Sequence, residues 1–192
     1  MVLRLAKVQT VVAHLRTASR MRRNPIGPET PASLNTAAPS PEVMAILARF
    51  RIILQSTRQY YQKVQESLGI GGAQLQALAI VAEQPNVGVS ALAMAMLIRQ
   101  PTASNLVEQL VKLGLVRRKK SGVDQRATEL TVTPKARRIL AKAPGPLVGI
   151  LADALASLSP SMMKQLGTSL DAVLQAMKSR DESARFRPLA DM

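Results

Sequence analysis

The chain has 192 residues, of which 47% are hydrophobic and only 2% are aromatic. This length suits one ordinary domain with tails, and the apolar content excludes wholesale disorder. The net charge of +14 favours a polyanionic partner, and the absence of cysteine excludes disulfides, thiolate metal sites and thiol redox switches.

The basic charge is concentrated in two stretches. Residues 97–144 hold eleven Lys or Arg against three acidic residues, and residues 1–40 hold six against one. Residues 145–192 balance at five against five. We therefore expect the central block and the N-terminal arm to meet the polyanion.

Residues 1–40 are predicted to form a disordered basic extension followed by a linker rich in Pro, Ser and Ala. Apolar residues at helical spacing within 1–23 leave several functions open for this arm. It could be an organelle transit peptide, an arm that tracks DNA, a mobile extension, or the product of an upstream start codon with Met21 as the alternative start. We favour the last two over the first two.

A long first helix is predicted over residues 41–69. Its apolar residues and one threonine follow steps of three and four, which is the spacing of a helical seam: Val43, Leu47, Phe50, Leu54, Thr57, Tyr61, Val64 and Leu68. A seam over a helix this long packs against other helices, and we expect those of a second copy. The Gly71-Gly72 pair is expected to end the helix.

Three helices and a hairpin are predicted over residues 73–143. A helix over 73–84 and a turn at Pro85-Asn86 and Gly88 lead to a short helix with Ser90 as its N-cap. Pro101 opens the next helix, which Gly114 closes. The apolar stripe of this helix faces inward, so its open side carries Thr102, Ser104, Asn105 and Gln109, and Arg99 and Gln100 precede it. Asn and Gln can bond adenine, and Thr or Ser can bond base edges or phosphates.

A basic β-hairpin follows this helix. Four consecutive cations lie in its first strand, namely Arg117, Arg118, Lys119 and Lys120. They are expected to contact phosphates, and Arg126 could enter a narrow minor groove, paired before docking with Asp124. Two short helices joined by a tight turn and followed by such a hairpin indicate a mainly α protein with a winged helix-turn-helix domain.

The C-terminal part is predicted to be helical again. Thr133-Pro134 begins one helix, which Pro144-Gly145-Pro146 breaks and which resumes at Leu147. Ser159-Pro160 begins a last helix with Leu166, Leu170, Val173 and Met177 facing inward. Residues 147–180 together with 41–69 are the predicted dimerisation helices, and residues 181–192 are expected to be a frayed tail.

The hallmarks of catalysis are missing from the sequence. The single histidine, His14, lies in the N-terminal arm, and no cluster of His, Asp or Glu has metal-ligand spacing. We therefore expect no enzyme activity, no metal and no cofactor. The longest uncharged stretch, from Ser67 to Ala82, has 16 residues and is interrupted by glycines, so no membrane partner is expected and the protein is predicted to be cytoplasmic and nucleoid-associated.

Three strings in this order resemble the MarR family of bacterial transcriptional regulators over roughly residues 43–178. They are RQPTASNLVEQL in the recognition helix, GLVRRKKSGVDQRATELTVT in the wing, and APGPLVGILADALASLSP before the final helix. Asp124 and Arg126 match the family's Asp-x-Arg pair. Asn105 stands where Arg is frequent in the family, so base preference cannot be carried over.

The resemblance implies a homodimer that binds double-stranded DNA at a pseudo-palindromic operator and represses transcription. It also implies release by a small, often phenolic, ligand, for which Arg58, Tyr60 and Tyr61 are candidate pocket residues. Packing of the tyrosines in the dimer core is the alternative. Two other functions are alternatives to a regulator. The first is a basic protein that binds DNA or RNA without sequence preference, and the second is an enzyme with a basic substrate channel.

Overall fold

The computed structural model describes residues 38–120 and 128–191. It is mainly α-helical with a small β-sheet, as the sequence predicts, and the sheet has a third strand beside the predicted hairpin. In chain order, the helices are α1 (Pro41–Leu68), α2 (Gly72–Glu83), α3 (Val89–Met96), α4 (Gln100–Lys112), α5 (Pro134–Lys142), α6 (Ile150–Ala156) and α7 (Pro160–Ala176). The strands are β1 (Val87–Gly88), β2 (Val116–Lys120) and β3 (Thr128–Val132), and two 3-10 turns follow at Glu182–Phe186 and Leu189–Asp191.

Three helix starts combine a side-chain cap with a proline, as the sequence predicts for Thr133-Pro134 and Ser159-Pro160. The Ser40, Thr133 and Ser159 side chains each accept a hydrogen bond from a backbone N–H in the first turn of α1, α5 and α7. Each of these helices also carries proline in its first turn, where no N–H partner is lost. Local chemistry alone therefore sets these three starting points.

Other boundaries differ from the prediction. Helix α1 ends because Gly69 adopts the left-handed conformation at φ +68°, and Gly72 already belongs to α2. Ser90 is not the N-cap of α3, because the helix begins at Val89 and its N-cap is Gly88, two residues before Ser90. The segment predicted as a turn contains β1, whose Val87 and Gly88 pair with Leu130 and Glu129 of β3.

The C-terminal part also departs from expectation. Helix α6 begins at Ile150, not at Leu147. The segment past Ser179, expected to be frayed, forms the two 3-10 turns, buries Pro188 and packs Ala190 against the core. We call residues 181–191 the C-terminal strap.

The hydrophobic core lies within the winged-helix region. Helix α2 is buried on nearly all sides, and it packs against α3, α4, α5 and β3. The largest side chains that are fully buried are Leu and Val from α1 to β3: Val64, Leu75, Leu78, Val81, Leu92, Val107, Leu110, Leu115, Val116 and Leu130. The hydrophobic effect from this burial is the main contribution that holds helices α2 to α5 and the sheet together.

Helix α7 contributes nothing to that core. None of its residues is buried, and Leu170, Val173 and Met177, which were predicted to face inward, are exposed. The first half of α1 is likewise exposed, and burial along this helix begins at Thr57. These two helices therefore carry apolar surface that the rest of the described chain does not cover.

Candidate nucleic-acid interface

Helix α4 is anchored by one face and open on the other. Its buried residues are Ala103, Leu106, Val107 and Leu110, at the spacing of one helical stripe. The turn from α3 to α4 is tight because Leu97 takes the left-handed conformation at φ +54° and Ile98 is buried behind it. This pair of helices forms the helix-turn-helix, and α4 is its recognition helix.

The residues predicted on the open side of α4 are accessible. Arg99, Gln100, Asn105 and Gln109 are exposed, whereas Thr102 and Ser104 are half-buried. Thr102, Asn105 and Gln109 line one side of a groove of about 470 Å³, which we call the recognition groove. Its other side is formed by the junction of α1 with α2, through Gln65, Gly71 and Gln74. Ser104 does not line this groove.

A hydrogen-bond chain joins the start of α2 to the recognition helix. The backbone N–H of Gly71 donates to Gln74 Oε1 at 3.0 Å, and Gln74 Nε2 donates to Gln109 Oε1 at 2.8 Å. Sequence reasoning placed Gln109 on the open face but missed Gln74. The only local sign was a glutamine at the third position of a helix, where it can bond the N-cap backbone.

The wing presents its cations as predicted in the part that is described. Arg117, Arg118 and Lys119 are exposed on β2, which pairs along its whole length with β3. Lys120 ends β2, and its side chain lies outside the described structure. Asp124 and Arg126 also lie outside the described residues, so their predicted roles stay predictions.

A second groove, of about 690 Å³, runs beside the base of the wing. Arg117 and Arg118 line it together with Lys135 and Arg138 of α5, and Val111 and Val116 form apolar parts of its wall. The Lys135 ammonium also donates to the Leu113 carbonyl at 3.0 Å, which ties α5 to the end of α4. Sequence reasoning missed the two α5 cations, although both belong to the basic block of residues 97–144.

The C-terminal strap lies against the recognition helix. The guanidinium of Arg99 stands 5.6 Å from the centre of the Phe186 ring, within the range of a cation–π contact. Asp191 lines the recognition groove, and burial raises the pKa of its carboxyl group. No signal in the local sequence pattern predicts these contacts, because they join segments far apart in the chain.

The candidate ligand residues are only partly brought together. Tyr60 and Tyr61 meet edge to face at 5.3 Å between ring centroids, whereas Arg58 is exposed. The Tyr60 hydroxyl lies 2.6 Å from the Pro146 carbonyl oxygen and 3.1 Å from that of Pro144. Burial, and secondarily Tyr61, raises the pKa of Tyr60 to about 12, so this hydroxyl remains a donor at neutral pH. Neither groove described above includes these three residues.

Within residues 38–120 and 128–191, no group of three or more His, Asp or Glu side chains is arranged to hold a metal ion. Over the same residues, no helix has the length and apolar character needed to cross a membrane.

Residues 68–127 match the sequence model of the MarR family. Among similar solved structures, the S. aureus MepR–DNA complex has 20% identity and a TM-score of 0.50, with 68% of this chain and 96% of that chain covered. Sco3205, a MarR family transcriptional regulator from Streptomyces coelicolor solved in complex with DNA, has 21% identity and a TM-score of 0.50 over 76% and 94%. A MepR-like protein complexed with pseudoligands has 16% identity and a TM-score of 0.50 over 70% and 94%.

No curated protein sequence matches the chain. At these identities, the likeness to solved structures concerns the fold, while the match over 68–127 concerns the sequence. The two findings agree with the resemblance in the recognition-helix and wing strings. Over residues 68–127 the sequence matches the model of the MarR family, and the chain has the winged helix-turn-helix fold of the solved regulators.

Proposed function

We propose that this protein is a sequence-specific DNA-binding transcriptional regulator that acts as a homodimeric repressor. The observation that carries the proposal is the recognition helix, which is fixed by a buried stripe and exposes Asn105 and Gln109 directly before a strand of exposed cations. Amide side chains read base edges in the major groove, and cations neutralise phosphates. The matched family and two solved DNA complexes of the same fold support the same function.

Each part of the interface has a separate role in this proposal. Thr102, Asn105 and Gln109 would contact bases from the recognition groove. Gln100 and Ser104, which lie on the same helix but do not line the groove, are proposed as further DNA contacts. The exposed cations Arg99, Arg117, Arg118 and Lys119 would hold the DNA backbone, and Lys120, at the end of β2, is proposed to do the same. Arg126, with Asp124 as its partner, would enter the adjacent minor groove.

The proposed dimer uses the exposed faces of α1 and α7. Large apolar side chains that are at least a third exposed include Val43, Ile46, Leu47, Ile53 and Leu54 on α1, and Leu170, Val173, Leu174 and Met177 on or next to α7. A contiguous apolar surface of this kind marks an interface, since monomeric proteins rarely leave one open to water. A second copy carries the same two faces and can cover both in a symmetric arrangement.

A dimer fixes the spacing of the two recognition helices. Such helices enter successive major grooves when their centres lie about 34–36 Å apart, so the operator would be a pseudo-palindrome. The protein would act in the cytoplasm, at the nucleoid, where its DNA is found.

We also propose that a small aromatic ligand regulates DNA binding through the joint formed by Tyr60 and Tyr61, with Arg58, exposed on the same helix, as a further ligand contact. Tyr60 hydrogen-bonds the carbonyls of the segment between α5 and α6, so it connects α1 to the rest of the winged helix. A ligand that bound this joint would release DNA only if it bound more tightly to a dimer whose recognition helices are too close together or too far apart for successive major grooves.

The test is selection of bound fragments from a randomly sheared bacterial genomic library by the purified protein at roughly physiological salt, where specific and non-specific binding separate. Enrichment of a short inverted repeat supports the proposal. Equal retention of all fragments would instead assign the charge to binding without sequence preference and would overturn it.

A further inference from the structure

The orientation of the Gln109 amide is set by the backbone of a different helix. A backbone N–H can only donate, so the bond from Gly71 identifies the near end of the Gln74 amide as its oxygen. The other end of that amide is therefore its nitrogen, which can only donate. Because it lies 2.8 Å from Gln109, the Gln109 atom that it meets must be Oε1.

Among the described residues, this chain of hydrogen bonds leaves the NH₂ end of Gln109 without a hydrogen-bond partner. Its carbonyl oxygen is turned toward α2, and its NH₂ group is the end that remains available to a partner. Gln109 is exposed and lines the open recognition groove with Thr102 and Asn105, so a ligand in that groove can reach it. An unconstrained glutamine can both donate and accept, as it does with adenine, whereas a tethered one offers donors alone.

We propose that Gln74 is a specificity-determining residue that presets Gln109 to donate to a base. The inference rests on the proposed function, since it requires the recognition groove to meet DNA. In the major groove, guanine presents two acceptors, thymine presents one, cytosine presents only an amino donor, and adenine presents an amino donor beside its N7 acceptor. The Gln109 contact should therefore favour guanine or thymine at one position of each half-site, with guanine preferred because either O6 or N7 can accept, and with adenine less favoured because its amino donor lies beside N7.

The substitution Gln74→Glu reverses the direction of the hydrogen bond between residues 74 and 109 and changes little else. One carboxylate oxygen still accepts from the Gly71 N–H, and an acidic residue in the first turn of a helix is favourable. The second oxygen, however, now requires a donor from Gln109 and turns its NH₂ group toward α2. The Gln109 carbonyl then becomes the free end and should bond the amino group of adenine or cytosine.

The experiment is selection from a randomised duplex library, with the wild type, Gln74→Glu, Gln74→Ala, Gln109→Ala and the control Gln76→Glu. Gln76 lies in the same helix and its substitution adds the same charge, but it does not line the recognition groove. We expect Gln74→Glu to change the ratio of guanine or thymine to adenine or cytosine by about tenfold at one position per half-site. Gln74→Ala and Gln109→Ala should flatten that position, and Gln76→Glu should leave the motif unchanged.

The outcomes separate the two proposals. If the wild type selects a palindrome and Gln74→Glu selects the same bases at every position, with an equal melting temperature, the inference about Gln74 is wrong and the proposed function stands. If the wild type selects no sequence at all, the proposed function itself is overturned, and the inference falls with it.

Discussion

Large apolar side chains are buried in the winged-helix region but exposed on α7 and on the first half of α1. From α2 to β3, the large aliphatic side chains of the stripes are almost entirely shielded from water by the chain's own contacts. On α7 and the first half of α1, side chains of the same kind remain open, and Leu54 is 66% exposed. The difference teaches that one region completes its core alone, whereas the other has a face that the described residues leave uncovered and that a further molecule can cover.

The first way to break this comparison is to remove a core side chain. Leu110→Ala, at a side chain with 0% exposure, should lower the free energy of unfolding by about 2–5 kcal/mol, because it removes buried methyl groups and leaves a cavity. The control Leu113→Ala, in the next turn at 40% exposure, should cost less than about 1 kcal/mol. Urea denaturation at one fixed protein concentration measures both, and equal losses would refute the assignment of the core.

The second is to charge the open face. Leu54→Glu should raise the dissociation constant of the dimer about 100-fold or more, because each symmetric interface would then bury like charges without partners. Gln59→Glu adds the same charge roughly 140° around α1 and should leave the dimer intact. Sedimentation velocity distinguishes the two, with circular dichroism as the check on folding. An unchanged Leu54→Glu dimer would mean that this face is not the interface.

The third test replaces Asn105 on the exposed side of α4, opposite the buried stripe of that helix. Asn105→Ala should weaken binding to the selected operator by about 1–3 kcal/mol through loss of a base contact. Affinity for unrelated duplex should hardly change. Fluorescence anisotropy with both duplexes gives the ratio, and an equal loss on both would show that Asn105 does not read bases.

The smallest expected effect comes from one wing cation. Arg118→Ala should weaken binding to operator and unrelated DNA alike, because one phosphate contact is lost. The slope of the logarithm of the binding constant against the logarithm of the salt concentration should fall in magnitude by about one. Lys63→Ala removes an exposed cation from α1, and this change should leave the slope as it is. A loss confined to the operator would instead assign Arg118 to base recognition.

Prediction from sequence succeeded where local chemistry decides the structure. Apolar spacing determined the buried stripe of α4, and Thr133-Pro134 and Ser159-Pro160 marked the starts of two helices. The exposed amides on α4 follow from the same periodicity, and the cations on β2 are exposed because charged side chains are almost never buried without partners. These features depend on neighbours within a few residues, so one sequence is enough to find them.

Prediction failed where the structure depends on distant partners. Val87 and Gly88 form a strand only because β3 lies beside them, and nothing in a two-residue segment indicates this. Ala190 packs at the start of α2 because Gly72 has no side chain there, which joins residues more than half the chain apart. The Gln74–Gln109 bond spans 35 residues, so neither residue alone shows the polarity of the contact.

The central claim is that two copies, joined through α1 and α7, present two recognition helices to one duplex. The most direct test is hydroxyl-radical footprinting on a selected fragment, combined with the stoichiometry of the complex at saturation. The account predicts two protected half-sites with centres about one helical turn apart and two chains bound to each site. One protected half-site with one chain bound, or uniform protection along the duplex, would contradict it.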